Sequence, residues 1–465
     1  MKSSSPPTNA STPASLALPP AGSDLRALMH LAWPMLVAQL AQVAMGVVDT
    51  AMAGAVSATD LAAVAVGFSL WMPILLFSNG LFSAVTALIA RAHGAGSSTD
   101  IARTFQQGIW LALLMSIFNT MLVSRCDELM RWMSIDPQVQ PLGELYLQGM
   151  VFGAPAATLI YILRSFSEGC GRSKPAMIIN VGALLLNIPL NYIFIHGLYG
   201  APKLGGAGCG WATAIALWVN FFALAALLWP RYRQSLRGFQ PPQWTHIGPM
   251  LKLGLPIAAA MFAEVSLFAL VALLIGPLGA TTIASHQIAL NFSSLTFMVP
   301  LSLGLALTVK ISNALGAQQQ LRARRYVKMG AAFAVAFAVV SAAAMLLLPE
   351  YITAIYTNDP AVRALTVQLL VFAAAYQISD GLQVTAAGCL RGYHDTRIVM
   401  VITLIAYWGI GLPVGYLLGL TDYFGATYGV QGFWVGLVLG LTVAAVLLNW
   451  RLWRVSHSHA ASPMK

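Results

Sequence analysis

GPMLKLGLPIAAAMFAEVSLFALVALLIG, residues 248–276, carries Lys252 near its start and one charge in its middle, Glu264. A helix needs about 20 mostly apolar residues to cross the hydrocarbon layer of a bilayer. The stretch is long enough, and it lacks the apolar/polar alternation of a barrel strand. Its backbone groups must then be satisfied within a helix. Working outward, twelve such stretches appear, at 27–51, 61–90, 101–123, 143–166, 175–196, 208–229, 248–276, 282–310, 326–347, 363–390, 397–419 and 430–452. The whole chain is 58% apolar and 9% charged, with a mean hydropathy of +0.74. Globular domains carry roughly 25% charged residues. So few charges cannot cover a water-facing surface, and the fold class is an all-α membrane protein with twelve transmembrane helices.

The remaining segments are short. Residues 1–23 are rich in Ser, Pro, Thr and Ala and read as a disordered tail. Residues 455–465 read as a polar C-tail, with His457 and His459 as solvated residues and no metal site. Cys126, Cys170, Cys209 and Cys389 show no CxxC spacing and read as small buried side chains. The net charge of +10 does not indicate nucleic acid, because its distribution follows the membrane. Among the 25 Lys and Arg residues, only Arg125, Arg131, Lys203 and Arg363 fall in loops after odd-numbered spans. The positive-inside rule then places both termini and the even-numbered loops in the cytoplasm. An even number of spans requires the same sidedness of the termini.

The chain repeats itself at an offset of about 222 residues, as from Pro34 to Pro256. Leu31-Ala-Trp-Pro34 opens the first span and Leu253-Gly-Leu-Pro256 the seventh. Ala92-His-Gly94-Ala95 follows the second, and Ala314-Leu-Gly316-Ala317 the eighth. Asn187-Ile-Pro189-Leu-Asn191-Tyr192 in the fifth matches Gly411-Leu-Pro413-Val-Gly415-Tyr416 in the eleventh. Two repeats of six spans share one orientation and pair about an axis along the membrane normal. The expected organisation is an N-lobe over 24–229, a cytoplasmic linker over 230–249 and a C-lobe over 250–454.

Three of the 15 acidic residues lie in apolar surroundings inside predicted helices: Asp49 in the first span, Glu264 in the seventh and Asp380 in the tenth. A charge at the bilayer centre costs about 2.5–3.5 kcal/mol on insertion scales. A carboxylate there either takes a proton, because burial disfavours its charge, or holds a cation among neighbouring oxygens. Both chemistries couple an ion gradient to a conformational change. Tyr376, Asp380 and Gln383 share a helix face. Asn187 and Asn191 stripe the fifth span around Pro189, and Thr213 of the sixth can add an oxygen. Gln287 and Asn291 form an i,i+4 pair in the eighth span, a polar cleft or an interhelical contact.

Several motifs together resemble the multidrug and toxic compound extrusion (MATE) family, in its NorM-like branch. They are Pro34 with Asp49-Thr-Ala-Met-Ala-Gly54, Arg91-Ala-His-Gly-Ala95, Leu163-Arg-Ser-Phe-Ser-Glu-Gly169, Asn187-Ile-Pro-Leu-Asn191, Pro256 with Glu264, Ile283-Ala-Ser-His-Gln287, Asn313-Ala-Leu-Gly316 and Cys389-Leu-Arg-Gly392-Tyr-His-Asp-Thr-Arg397. The resemblance covers about residues 25–452. It implies twelve helices in two V-shaped lobes, and exchange of Na+ or H+ for cationic amphipathic drugs or dyes. It also implies a C-lobe cation site at Glu264 and Asp380, with Tyr376 nearby and Na+ as a candidate occupant. An N-lobe site is implied at Asp49, with Asn187, Asn191 and Thr213. Some relatives carry Asp where this chain has Asn191, which weighs against a proton-only N-lobe mechanism.

The expectation is a secondary antiporter, multi-pass in a bacterial inner membrane. It has no cofactor beyond the coupling ion and no nucleic-acid partner, is surrounded by lipid, and works as a monomer. A flippase for lipid-linked precursors is the alternative, but a polyanionic headgroup wants a basic cavity and no Lys or Arg is expected deep in the helices. An intramembrane enzyme is not expected, because His196 and His286 lie apart in separate lobes.

Overall fold

The computed structural model of the chain describes residues 20–132, 136–423 and 426–461, and among them no strand occurs. The first half is built from α1 (Ala21–Gly54), α2 (Ala58–Gly94), α3 (Ser98–Val123), the short α4 (Cys126–Trp132), α5 (Gln140–Gly169), α6 (Lys174–His196) and α7 (Gly208–Tyr232). The second comprises α8 (Trp244–Ile275), α9 (Ala280–Gly316), α10 (Gln320–Leu347), the short α11 (Pro349–Tyr356), α12 (Pro360–Gly392), α13 (Thr396–Leu404), α14 (Leu412–Leu420) and α15 (Gly429–Ala461). A π-helical stretch, Ile405–Gly411, joins α13 and α14 into one span. Among the described residues, twelve helical segments are long and apolar enough to cross a membrane.

Local chemistry sets the turns between spans. Ser57 caps α2 by accepting from the Asp60 amide at 3.0 Å and donating to its carboxylate at 2.6 Å. Ser97 caps α3 in the same way, accepting from the Asp100 amide at 3.2 Å. Asp359 caps α12 by accepting from the Ala361 amide at 2.8 Å. Each cap satisfies amides that the first helical turn leaves unpaired.

The helices outrun the apolar stretches that announce them. The 34 residues of α1 make about 51 Å of helix against a hydrocarbon thickness of about 30 Å, so its ends reach headgroup depth. Three expected boundaries shift accordingly. The helix α1 begins within the expected N-tail, whose residues 1–19 lie outside the described residues. The expected C-tail is helical as far as Ala461, so His457 sits on a helix with Nδ1 2.7 Å from the Trp453 carbonyl; the His459 side chain lies outside the described residues. The linker shrinks to 233–243 and is strapped to α3. Gln106 donates to the Ser235 carbonyl at 2.7 Å, Trp110 to that of Gln240 at 2.9 Å and Gln107 to that of Pro241 at 3.0 Å.

Packing groups the helices into two sets. In the first, α5 lies centrally against α2, α3 and α7; in the second, α12 lies centrally against α9, α10 and α15. The sets meet through α1 on α9 and α8 on α2. Leu28, Leu31 and Met35 of α1 join a core with Leu303, Leu307 and Leu390 from the other set. We call the end of the bundle that carries both chain ends the terminal face. There α2 and α9 touch backbone to backbone: a Cβ on Gly94 would strike the Asn313 carbonyl, and one on Gly316 the Arg91 carbonyl. Asn313 Nδ2 lies 3.0 Å from His93 Nδ1, and Arg91 Nη1 3.2 Å from His394 Nδ1. Asp24 of α1, wholly buried, is held by Arg322 at 2.8 Å and Arg325 at 3.0 Å, and Tyr326 donates to it at 3.2 Å. The terminal face is therefore sealed between the two sets.

Candidate functional site

In the first half, four predicted residues form one buried network. Asp49, near the end of α1, faces α6 and α7. Its Oδ1 accepts from Asn191 Nδ2 at 2.7 Å, and its Oδ2 from the Thr213 hydroxyl at 2.8 Å. Asn191 also donates to Asn187 Oδ1 at 3.0 Å, and Asn187 to the Thr213 oxygen at 3.0 Å. The one-turn spacing of Asn187 and Asn191 stacks both amides on the face of α6 that meets Asp49. Both carboxylate oxygens of Asp49 therefore have a donor within the bundle. Asn191 Oδ1 is left without a donor, so the cluster offers one free carbonyl oxygen beside the carboxylate.

The second half has a different character. Asp380, in the middle of α12, is 0% exposed, and neither of its carboxylate oxygens has a hydrogen-bond partner. Glu264 of α8 is half-buried and close enough for the two charges to interact. Tyr376 lies one turn from Asp380, buried against Phe268 and Trp434 with ring centroids at 6.2 and 6.0 Å. Tyr407, on the π-helical stretch, is within electrostatic reach of both acids, and its hydroxyl has no partner. Gln377 accepts from Thr296 at 3.1 Å while its Nε2 stays unpaired, as does Gln383 Oε1. Two neighbouring carboxylates with the Tyr376 and Tyr407 hydroxyls in electrostatic reach suit a proton or a hard monovalent cation, because either supplies the positive partner that Asp380 lacks. Among the described residues no group of three His, Cys, Asp or Glu side chains gathers as for a transition metal.

Gln287 and Asn291 stay outside both networks, on an exposed face of α9. Several polar groups near the second site escaped the sequence reading. Gln377, one turn before Asp380, reaches Thr296 of α9, and His286, with both ring nitrogens unpartnered, packs on Trp434 at 5.9 Å. Two arginines near helix ends, Arg164 of α5 and Arg391 of α12, are buried. Arg164 donates to Glu168 at 2.6 Å and to Gln39 at 3.2 Å. Arg391 is 8% exposed and close enough to Glu264 for their charges to interact. The i,i+4 spacing of Arg164 and Glu168 was a legible sign of that ion pair; nothing local marked Arg391.

The MatE family profile matches the chain twice, over residues 34–193 and 256–417. The chain belongs to the MATE family. It is a membrane transporter and not an enzyme. It is 48% identical over 439 residues to multidrug resistance protein PmpM of Pseudomonas aeruginosa, covering 93% of this chain and 92% of that protein. It is 45% identical over 436 residues to multidrug resistance protein MdtK of Yersinia pestis, covering 92% and 95%. Among solved structures, a MATE in the bent conformation superposes with a TM-score of 0.85 at 20% identity, over 95% of this chain and 98% of that one. The Vibrio cholerae MATE transporter VcmN in the bent form gives 0.81 at 20% identity, over 94% and 98%. These structures share the MATE fold with this chain. The two profile matches fall one in each set of six spans, as the repeat at Pro34 and Pro256 implies.

Proposed function

We propose that this MATE chain is a secondary antiporter that exports cationic amphipathic compounds in exchange for Na+ or H+. One observation carries the reading: Asp380 is a fully buried carboxylate with no donor, paired in space with Glu264 inside a spanning bundle. Such a group is costly unless a proton or cation neutralises it. Glu264, Asp380 and Tyr376 hold the coupling ion, and Asp49 with Asn187, Asn191 and Thr213 forms a second acidic cluster that can take part. A cationic drug and the coupling ion compete for the same acids, because one carboxylate cannot neutralise both. That competition couples drug release to ion entry as the two lobes rock. One charge moved through 100 mV supplies about 2.3 kcal/mol.

The relatives named multidrug resistance proteins support an organic cargo. The acidic site disfavours a polyanionic lipid precursor, and Arg164 is neutralised by Glu168. The bias of Lys and Arg toward the terminal face supports placing that face in the cytoplasm of a bacterial cell.

The test is dye efflux from proteoliposomes under an imposed Na+ or pH gradient. A fluorescent cationic dye is followed for the wild type, Glu264→Gln and Asp380→Asn. Movement driven by one gradient and lost in both variants, with normal protein in the membrane, is expected and names the ion. Full efflux in Asp380→Asn would sink the coupling assignment. Dye held under both gradients by folded wild type would point to another cargo.

A further inference from the structure

A second feature lies on the terminal face, away from both acidic clusters. An open cavity of about 640 Å³ is bounded there by Gly22, Ser23, Arg26 and His30 of α1, Gly171 of the α5–α6 turn and Lys310 of α9. Every ionisable side chain in that lining is basic. The nearest carboxylate along α1, Asp24, is already engaged by Arg322 and Arg325. Among the described residues neither Arg26 nor Lys310 forms an ion pair, though the charge of Asp24 reaches Lys310. Arg172 follows Gly171 directly, and its charge and that of Lys310 both reach His93. The first turn of α1 adds the positive end of its helix dipole at Gly22 and Ser23.

Depth narrows the ligand. Arg26 and His30 sit within the first turns of a helix about 51 Å long, and Lys310 lies about two turns before the end of α9. Against about 30 Å of hydrocarbon, these positions fall at headgroup level. Basic pockets between spanning helices at this depth suit phospholipid headgroups.

We propose that this cavity binds the phosphate of an anionic phospholipid headgroup. Arg26 belongs to the first six spans and Lys310 to the second, so the bound headgroup bridges the two sets at the terminal face. It is then a ligand of the sealed form and favours that form over the one opened at this face.

The test uses the purified full chain in detergent and native mass spectrometry. Phosphatidylglycerol is titrated against phosphatidylcholine of the same acyl chains. Wild type is compared with Arg26→Gln/Lys310→Gln and with a control pair, Arg233→Gln/Arg237→Gln, outside the cavity. With each basic side chain contributing as surface charges do, the cavity pair should bind phosphatidylglycerol about 30-fold more weakly, and the control pair as wild type does. Equal retention of the two lipids, or the same loss in both pairs, overturns the proposal. Inorganic phosphate in excess forms a separate arm. Displacement of phosphatidylglycerol by phosphate assigns the site to a soluble anion and overturns the lipid source; no displacement supports it. If the double variant fails to fold, the exposed Arg26→Gln is read alone against Arg237→Gln. In nanodiscs, spin labels across the terminal face should stay closer with phosphatidylglycerol than with phosphatidylcholine, and the cavity variant should lose that difference.

Discussion

Asp49 and Asp380 are both aspartates buried in spanning helices, yet their surroundings differ in kind. Both Asp49 oxygens accept hydrogen bonds, and both Asp380 oxygens lack donors. Thr213→Val removes one of the two donors to Asp49 and leaves Oδ2 unsatisfied, at a cost of about 1–3 kcal/mol. We expect efflux several-fold slower and a lower melting temperature, with Thr213→Ser near wild type. A Val variant that transports and melts normally would remove Thr213 from the network. Spacing made legible the Asn187/Asn191 stripe and the Tyr376–Asp380–Gln383 face; that Asp49 meets the stripe and that Glu264 joins Asp380 was implied by the family resemblance alone. Tyr407 and Thr296 come from other spans, and no spacing along the chain records which helices meet.

The elements show how closely two helices can approach. Along α15, Gly432, Gly436 and Gly440 form a bare stripe. It faces Gly411, Gly415 and Gly419 of the span that contains the π-helical stretch. A methyl group on Gly436 would lie 2.5 Å from the Gly415 backbone nitrogen. In a membrane, where lipid is as apolar as Leu, such close backbone packing is a main source of helix association. Gly436→Val should destabilise the protein by about 1–3 kcal/mol or more through overpacking, seen as a lower melting temperature in detergent, with Gly436→Ala milder. Because the displaced span carries Tyr407, dye efflux should fall as well; a Val variant that melts early but transports fully would detach this span from the site. The prolines at 34, 189 and 256 lie inside continuous α-helices, and Pro413 opens α14. They did not announce the π-helical stretch, because one extra residue in a turn leaves the apolar composition unchanged.

The whole molecule is sealed at its terminal face by contacts between residues about 220 to 300 positions apart in the chain, and these set its conformational balance. Asp24→Asn leaves Arg322 and Arg325 without their shared carboxylate, so the terminal face should open more often. Spin labels on α1 and α10 should show a longer-distance population that wild type lacks, and unchanged distances would mean that Asp24 is no latch. His394 gives this seal a pH dependence. Burial, with Arg91 beside it, pushes its imidazole from 6.5 down to about 4. Opening exposes the ring and returns it toward 6.5, so the open form binds the proton more readily. The seal is therefore full-strength above pH 6.5 and weakens as pH falls from 6.5 toward 4. His394→Gln should abolish that opening across the same window, measured by the same label distances. The sequence by itself determined the twelve spans, the duplication, the membrane setting and the presence of three acids within the apolar spans. Apolar length and isolated charge are local properties, and the bilayer tolerates few alternatives to a helix. Only the tertiary structure decided which acid has donors and which has none, and that Arg164 and Arg391 are buried. It alone closed the terminal face and gathered Arg26 and Lys310 around one cavity. Each of these depends on which helix faces lie together, and that is fixed by packing between distant segments.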